Sequence, residues 1–414
     1  MQEGYELRPA GPDDVEAIVA LEVAAFGPSD EPGVRAHLGD DATLADWVVV
    51  VHRSSGRIVS TCGLLAHRMV LDGVAFPGAQ VEYVATDPVH QRRGLVRAQF
   101  DWHHRRSAAR GDLAQFITGI PYLYRRFGYG YGLDHPLIRI PPATLAGPRS
   151  PGEAADEVVV RPAHAGDRPA IVAIDAQRPP VGLRVERDRR AWDVIVAMSQ
   201  ANPYEHLSVA ERDGRVVGWL RTQHRPADGR VYLLPSSVAD DQPPSTTLAM
   251  VTAARTEAGD DVLVVFDSPN TTYSAHLDAL TALGPTVRHD HGIYTRVPDP
   301  VALLDRLRPV LSARLAASPD VTRTTTLDIS LYGSGVALDL DGAQVRAVRA
   351  VAGVEDPYAE SGVGVAPDLF GALVFGRFGA SGLAQRADDV TLGRHRRLME
   401  VLFPQLEADV VGDF

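Results

Sequence analysis

Hydrophobic positions along the first third of the chain follow the period of strands in some segments and of helices in others. The apolar run Trp47–His52 and a longer run at residues 57–67 predict two strands joined by a Ser-Ser-Gly turn. An Asp-Gly pair at residues 72–73 predicts a hairpin after them. Residues 12–26 begin with a proline and two acidic residues, which favour the first turn of a helix. This order predicts a mixed α/β domain over residues 1–145.

One segment combines an apolar strand at residues 81–86, the basic loop Gln91-Arg92-Arg93-Gly94 and a helix that we expect to end at residue 110. Amide groups at a helix N-terminus lack intrahelical partners and lie at the positive end of the helix dipole. The two arginines add positive charge, and the glycine lets the backbone approach a ligand closely. The segment therefore predicts a pyrophosphate site, although it lacks the signatures of a P-loop or a dinucleotide fold. The alternative is an arginine-rich surface loop.

Composition narrows the class of protein. A chain of 414 residues is too long for one ordinary domain, so we expect two or three. The longest apolar runs are far too short to cross a bilayer, and the N-terminus has no basic and apolar leader, so we expect neither a membrane span nor a signal peptide. The single cysteine, Cys62, fits a cytoplasmic protein. A net charge of −12 argues against nucleic acid as a partner and favours cationic substrates.

The basic loop and a later tyrosine segment both carry a family resemblance. Gln-Arg-Arg-Gly-Leu-Val after a strand resembles motif A of the GNAT acetyltransferases, which holds the pyrophosphate of acetyl-CoA; Val96 stands where a small residue is usual. The segment Tyr124-Arg-Arg-Phe-Gly-Tyr resembles a common GNAT ending, whose first tyrosine protonates the leaving thiolate. The resemblance implies that Tyr124 is this acid, because a phenol with a pKa near 10 is protonated at neutral pH. The alternative is that Tyr124 is an ordinary half-buried tyrosine. Tyr122, two residues earlier, is predicted to be a packing residue.

A faint internal repeat predicts a second domain. Residues 7–10, Leu-Arg-Pro-Ala, recur as Val-Arg-Pro-Ala at 160–163, and residues 56–59 are echoed at 214–217 with nearly the same spacing. No basic glycine loop follows the apolar run at 231–234. We therefore expect residues 155–298 to form a GNAT-like domain that has lost its cofactor site, joined to the first by a proline-rich linker.

The character of the chain changes again near residue 298. Residues 301–315 predict a helix, residues 324–331 a strand, and further helices are expected near 369–375 and 394–403. The segment 299–414 is thus expected to be an α+β domain, and it faintly resembles a sterol-carrier-protein-like domain. The predicted fold class is α/β (α+β), with two tandem GNAT-like domains followed by this third one.

This combination of loop, tyrosine segment, cofactor-less second domain and small third domain ending in Phe resembles the enhanced-intracellular-survival (Eis) acetyltransferases. The resemblance implies acetyl-CoA as cosubstrate, no metal, and direct acetyl transfer to a primary amine. It also implies a homohexamer, and it names aminoglycoside-like polyamines or lysine side chains of peptides as acceptors, hence a role in antibiotic resistance.

Particular residues follow from the same resemblance. The terminal carboxylate of Phe414 would be the base beside the acid Tyr124, and Asp413 is a candidate for binding a second amine. A bulge in the motif A strand would free backbone N–H groups for the pantetheine and the thioester oxygen, with the amide of Val84 nearest the carbonyl. The implied acetyl-CoA contacts are Val84, Ala85, Thr86, Arg92, Arg93, Gly94, Leu95, Val96, Arg97, Gly119 and Ile120.

Two other functions stay open at this point. One is a mycothiol-synthase-like tandem GNAT enzyme, although such enzymes lack a third domain. The other is a non-catalytic lipid- or ligand-binding protein, against which the intact basic loop and Tyr124 both argue. Among the remaining candidates, His289-Asp290-His291 is interpreted as a polar turn, Cys62 as a core residue, and His103-His104 as an exposed pair.

Overall fold

The computed structural model describes most of the chain, in twelve pieces. These are residues 2–39, 41–134, 136–140, 158–177, 182–225, 229–259, 263–267, 284, 286–289, 292–319, 325–357 and 362–410. The predicted linker at residues 141–152, the His289-Asp290-His291 turn beyond its first residue, and residues 413–414 lie outside them.

The N-terminal elements follow the predicted order. They are β1 (Tyr5–Pro9), α1 (Val15–Phe26), α2 (Glu31–Leu38), α3 (Asp41–Leu44), β2 (Trp47–His52), β3 (Arg57–Leu71), β4 (Val74–Thr86), α4 (Leu95–Arg110), β5 (Ala114–Ile117) and β6 (Gly130–Leu133). The Asp-Gly hairpin is confirmed, since Asp72 and Gly73 have φ of +43° and +83° in the turn between β3 and β4.

The middle of the chain contributes a second set of elements. They are β7 (Pro136–Ile140), β8 (Val159–Pro162), α5 (Arg168–Asp175), β9 (Leu183–Glu186), α6 (Arg189–Ala201), β10 (Glu205–Arg212), β11 (Arg215–Arg225), β12 (Arg230–Val238), α7 (Pro244–Ala258), β13 (Leu263–Asp267), β14 (Thr286–His289) and β15 (Ile293–Arg296).

The C-terminal elements complete the fold. They are α8 (Pro300–Arg306), α9 (Arg308–Ala316), β16 (Thr326–Ser330), β17 (Gly335–Asp341), β18 (Gln344–Val351), β19 (Val363–Val365), α10 (Phe370–Val374), α11 (Gly379–Ala384), β20 (Val390–Thr391), α12 (Arg396–Leu402) and β21 (Ala408–Asp409). The single helix predicted at 301–315 is therefore two. Pro309 lies in the first turn of α9 and has no N–H with which to continue the hydrogen bonding of α8.

The strands form three sheets that do not follow chain order at two places. The first sheet runs β1-β2-β3-β4-β5-β15-β6, with β9 also paired to β3, and the second runs β14-β7-β13-β12-β11-β10-β8. Strand β7 therefore belongs to the second sheet, and β15 inserts between β5 and β6 of the first. These two strands therefore pair across the boundary that the sequence predicts between the first and second domains. The third sheet, β18-β17-β16-β19-β20, uses C-terminal strands alone.

The first two sheets share a local arrangement at the internal repeat. Arg8 and Asp14 form a two-bond ion pair at 2.6 and 2.8 Å, and Arg161 and Asp167 form one at 2.7 and 2.9 Å. Each aspartate also accepts a backbone N–H three residues earlier. The parallel pairing of β4 with β5 likewise has a counterpart in that of β12 with β13.

The third part of the chain packs closely on the first sheet. A β-carbon added at Gly130 in β6 would lie 1.7 Å from the backbone oxygen of Asp368, and one at Gly371 would lie 2.1 Å from Thr295 Oγ1. Only glycine permits so close an approach. One apolar core runs from the first sheet through α6 to the third sheet, including Phe76, Trp192 and Phe375. In the described part of the chain, no helix has the length and hydropathy that crossing a membrane requires.

Candidate active site

The candidate site begins where β4 and β5 separate. The two parallel strands pair only from Gly78–Ala114 to Gln80–Phe116. Residues 81–86 of β4 thus continue beyond their described pairing with β5, while their other edge remains paired to β3. A parallel pair that opens at its carboxyl end leaves backbone groups free to bind a ligand between the strands.

The far end of β4 carries the bulge that the resemblance implies. Thr61 pairs with Ala85 and Gly63 with Glu82, so Tyr83 and Val84 together face Cys62. Tyr83 takes φ +54°, an uncommon value for a residue with a bulky side chain, and its ring stacks on Trp47 at 5.3 Å. The bulge is next to the three main-chain contacts predicted at Val84, Ala85 and Thr86.

Helix α4 begins with the geometry of an anion site. Gly94 is its N-cap with φ +76°, and Arg92 also lies in the left-handed region with φ +60°. A non-glycine residue in this conformation is uncommon and recurs at functional sites. Arg92, Arg93 and Arg97 are exposed beside the free amides of the first turn, while Leu95 is buried beneath them. The predicted loop residues 92–97 therefore lie together at one helix end.

Side-chain contacts fix α4 against β4. The buried Ser60 Oγ lies 2.9 Å from the Ala85 oxygen, 2.7 Å from Thr86 Oγ1 and 2.9 Å from Gln99 Oε1 of α4. At the other end of α4, Arg110 and Arg106 each donate to Asp46 at 2.6 Å. These bonds hold the helix N-terminus at a fixed place beyond the strand.

Tyr124 lies in a short 3-10 helix, Leu123–Phe127, and is 5% exposed. Its ring stacks on Phe100 of α4 at 5.7 Å, which ties it to the same helix as the anion site. Burial, and then the charge of Glu82, raise the pKa of the phenol well above its ordinary value. Tyr124 therefore stays protonated at neutral and mildly alkaline pH. Tyr122, by contrast, is 68% exposed and does not have the packing role that we predicted.

Gly119 and Ile120, the last two of the predicted acetyl-CoA contacts, lie on the exposed segment after β5. Gly119 has φ +122°, and a β-carbon there would lie 3.4 Å from the Tyr124 hydroxyl oxygen. Ile120 is 63% exposed. The phenol thus lies beside the segment that follows β5.

Residues from the rest of the chain hold the Tyr124 segment in place. Tyr294 of β15 accepts a hydrogen bond from the Tyr122 amide, donates to the Tyr131 hydroxyl at 2.7 Å, and meets Tyr124 edge-on at 5.5 Å. Arg377 donates to the Asp134 carboxylate at 2.8 Å and to the backbone oxygen of Tyr131 at 3.1 Å. Sequence analysis missed both residues, because each lies more than 160 residues from its partner.

Glu22 is a second residue that the sequence analysis missed. It is 0% exposed on α1, which packs against β3 and β4, and neither carboxyl oxygen has a hydrogen-bond partner in the described part of the chain. Burial, and then the charges of Asp30 and Glu82, raise the pKa of Glu22 to about 9. The available signal was a glutamate four residues after Ile18 on the apolar face of α1.

Other candidates are settled by their burial. Cys62 is buried in the core, as predicted. His103 is 0% exposed, so the expectation of an exposed pair is wrong for it: residues 99, 100, 103 and 107 share the face of α4 that packs on the sheet. Burial lowers the pKa of His103 to about 3, so it is neutral at physiological pH. Phe414 and Asp413 lie outside the described residues, and their roles stay predictions.

Comparison with known proteins matches the N-terminal part of the chain to an acetyltransferase domain. Residues 6–132 match the family model described as an acetyltransferase (GNAT) domain. The N-acetyltransferase Eis of Mycobacterium tuberculosis is 30% identical over 209 residues, which cover 46% of this chain and 49% of that protein. The chain therefore spans about half the length of the curated relatives it matches.

Solved structures share the fold over nearly the whole chain. A probable N-acyltransferase from Enterococcus faecalis V583 has a TM-score of 0.69 at 11% identity, and Eis1 from Mycobacterium abscessus has a TM-score of 0.61 at 16% identity; each match covers 99% of both chains. The predicted resemblance to GNAT and Eis acetyltransferases is confirmed, and the mixed α/β GNAT-like fold with it.

The raised pKa of Glu22 predicts a pH-dependent stability. Between the ordinary pKa of 4.5 and about 9, the folded protein binds a proton that the unfolded chain releases, so the free energy of unfolding falls as pH rises. Glu22→Gln removes this dependence and should stabilise the protein increasingly above pH 5, by a few kcal/mol (~1.4 per pH unit at most). Urea unfolding at pH 5, 7 and 9 measures it. The exposed Glu16→Gln on the same helix is the control, and parallel pH curves for wild type and Glu22→Gln would contradict the assignment.

Proposed function

We propose that the chain is an N-acetyltransferase that uses acetyl-CoA and transfers the acetyl group directly to a primary amine. One observation carries the proposal: β4 separates from β5 and bulges, α4 begins at a glycine N-cap shortly after β4, and the Tyr124 hydroxyl lies beside Gly119 shortly after β5. A phosphate site, free main-chain donors and a protonated acid are the three features that acetyl transfer from a thioester requires. The match of residues 6–132 to the GNAT domain supports the same activity.

In this proposal the pyrophosphate binds the first turn of α4, with Arg92, Arg93 and Arg97 around it. The pantetheine then extends between β4 and β5 and bonds main-chain groups at Val84, Ala85 and Thr86, near the Gly119–Ile120 segment. The separation of the strands supports this reading, because an extended amide chain can replace the contacts with β5 that β4 lacks beyond Gln80. The Val84 amide would stabilise the oxygen that becomes negative during transfer.

The transfer step needs two proton movements. A neutral amine attacks the thioester carbon, the C–N bond forms, and the C–S bond breaks with its electron pair on sulfur. Tyr124 donates its proton to the thiolate, and the proton lost by the attacking nitrogen goes to a base. The Eis resemblance assigns that base to the terminal carboxylate of Phe414, whose reference pKa is about 3.3–3.7, so it acts best by ordering a proton-accepting water. The proton taken up by the base passes to water, and a proton from water returns to Tyr124, which completes the cycle.

The charge of the protein favours acceptors with several amines. The net charge is −12, and Glu22, Asp30 and Glu82 interact electrostatically beside the bulge. A cationic acceptor would be attracted to the carboxyls of Asp30 and Glu82, whereas the buried Glu22, whose pKa is raised to about 9, stays neutral at physiological pH. Aminoglycoside-like polyamines and lysine side chains are the acceptor classes that we propose.

The domain organisation belongs to the same proposal. We infer that residues 155–298 form a second GNAT-like domain without a cofactor site, which the matching Arg-Asp ion pairs and parallel strand pairs support. Residues 299–414 would be a sterol-carrier-protein-like domain whose C-terminus reaches the active site. We also propose a homohexamer, which follows from the resemblance alone, and a cytoplasmic location, which the single cysteine favours.

An acceptor panel tests the activity directly. Thiol release from acetyl-CoA should be fast with polyamines and slower with a monoamine, and mass spectrometry should find one acetyl group on an amine for each thiol released. Raising the salt concentration should increase KM for polyamines because it screens the carboxyls. No acetylated product with any amine would contradict the proposed function, whereas equal efficiency for all amines would contradict only the acceptor class.

A substitution at the helix cap tests the phosphate site. Gly94→Asp adds a negative charge and a side chain at φ +76°, so the affinity for acetyl-CoA should fall by more than about tenfold in calorimetry. Gly56→Asp is the matched control, since Gly56 has φ +67° in a turn with no atom near its β-position. If both variants bound acetyl-CoA like the wild type, the anion site would be wrongly assigned.

Removing one hydroxyl tests the acid. Tyr124→Phe keeps the ring stacked on Phe100 but loses the proton, so kcat should fall by about 10²–10⁴ with little change in acetyl-CoA affinity. Because its raised pKa keeps Tyr124 protonated, the wild-type kcat should not decline between pH 7 and 9. The exposed Tyr122→Phe serves as control. Unchanged single-turnover rates for Tyr124→Phe would show that a group other than Tyr124 is the acid.

A further inference from the structure

A cluster of metal-ligating side chains lies on the second sheet, away from the candidate active site. His206 of β10, His224 of β11 and Glu257 of α7 each offer a ligand atom, and these atoms all lie within 4.8 Å of one another. His206 Nδ1 is 3.3 Å from Glu257 Oε1, and the two imidazole rings are 4.9 Å apart. It is the one such group of three among the residues that the structure describes.

Hydrogen bonds orient the cluster. His206 Nε2 lies 3.2 Å from the backbone oxygen of Pro203, and because a carbonyl only accepts, Nε2 carries the proton. In the neutral imidazole, Nδ1 then carries the lone pair, on the side of Glu257. Metal-binding histidines typically donate their second ring N–H in this way. His224 Nε2 is buried and has no hydrogen-bond partner in the described part of the chain. This nitrogen can therefore bind a metal ion without breaking a described hydrogen bond.

The backbone holds both histidines in register. Glu205 pairs with Gln223 across β10 and β11, and the His224 amide donates to the Tyr204 oxygen at 2.6 Å. Glu257 lies at the last turn of α7 and its side chain is 43% exposed, so it can move toward the imidazoles. Four ligands around zinc lie about 3.4 Å apart when metal–ligand bonds are near 2.1 Å, so a shift of about 1 Å closes the site.

We propose that His206, His224 and Glu257 bind one Zn²⁺ ion, with water as the fourth ligand. Two imidazoles and one carboxylate suit zinc, whereas Ca²⁺ and Mg²⁺ prefer oxygen ligands alone. The ion would join the end of α7 to two strands and to the turn at residues 202–204. Asn202 in that turn donates to the Ser29 oxygen at 3.0 Å, so the ion would also steady a contact between the first and second parts of the chain.

Zinc titration of the tag-free, chelator-treated full chain tests the site. We expect one equivalent of Zn²⁺ to bind, Co²⁺ to give the visible absorption of a four-coordinate ion, and zinc to raise Tm. His206→Ala and His224→Ala should each weaken zinc binding by more than about a hundredfold, because the loss of an outer-shell partner alone costs about 10–100-fold. Glu257→Gln should weaken it as well, and because that side chain is half exposed, the variant should fold.

A second histidine pair provides the control. His52 and His90 have rings 4.8 Å apart but belong to no such group with a carboxylate among the described residues. Removing both should leave one equivalent of zinc and its affinity unchanged. The proposal is overturned if the wild type takes up no zinc at micromolar concentration. It is equally overturned if Glu257→Gln and either folded histidine variant bind zinc as tightly as the wild type.

Discussion

The separation of β4 from β5 after three residue pairs is the constraint on which the candidate site depends. A continuous parallel pair would use the main-chain groups of β4 for a neighbouring strand and would leave no gap for a ligand. Because the strands open, the main-chain groups of β4 beyond Gln80 have no described partner on β5, while the bulge at Tyr83–Val84 lies on the edge paired to β3. Only eight residues separate the end of β4 from the start of α4, so the amide groups of the helix lie at the same end of the sheet.

The rest of the molecule supports this opening. Strand β15, from residues 293–296, occupies the position beside β5, and its Tyr294 bonds the segment that carries Tyr124. The third part of the chain packs on β6 at Gly130 and on β15 at Gly371, and Arg377 bonds Asp134. The candidate site therefore lies in the N-terminal region of the sequence, but Tyr124 is positioned by strands and side chains from well beyond residue 145. Glycine at these two contacts is a packing requirement, since any side chain would meet backbone or Thr295.

Local patterns predicted what local physics determines. The strand at Trp47–His52, the end of α4 at Arg110 and the Asp-Gly turn were placed correctly, because each rests on a short apolar run or a glycine at positive φ. Insertion of β15 could not be predicted, since its partners lie over 150 residues away and it has no distinctive period. Burial of His103 and Glu22 was missed for a related reason: which helix face meets the sheet depends on tertiary packing, and each polar residue lies on an apolar face.

A crystal structure with CoA bound tests the central claim most directly, because it locates both ends of the cofactor at once. The account predicts the pyrophosphate against the amides of residues 94–97 and the thiol sulfur within hydrogen-bonding distance of the Tyr124 hydroxyl. The pantetheine should lie between β4 and β5, bonded to main-chain groups at residues 84–86. CoA bound elsewhere, or a sulfur atom remote from Tyr124, would contradict it.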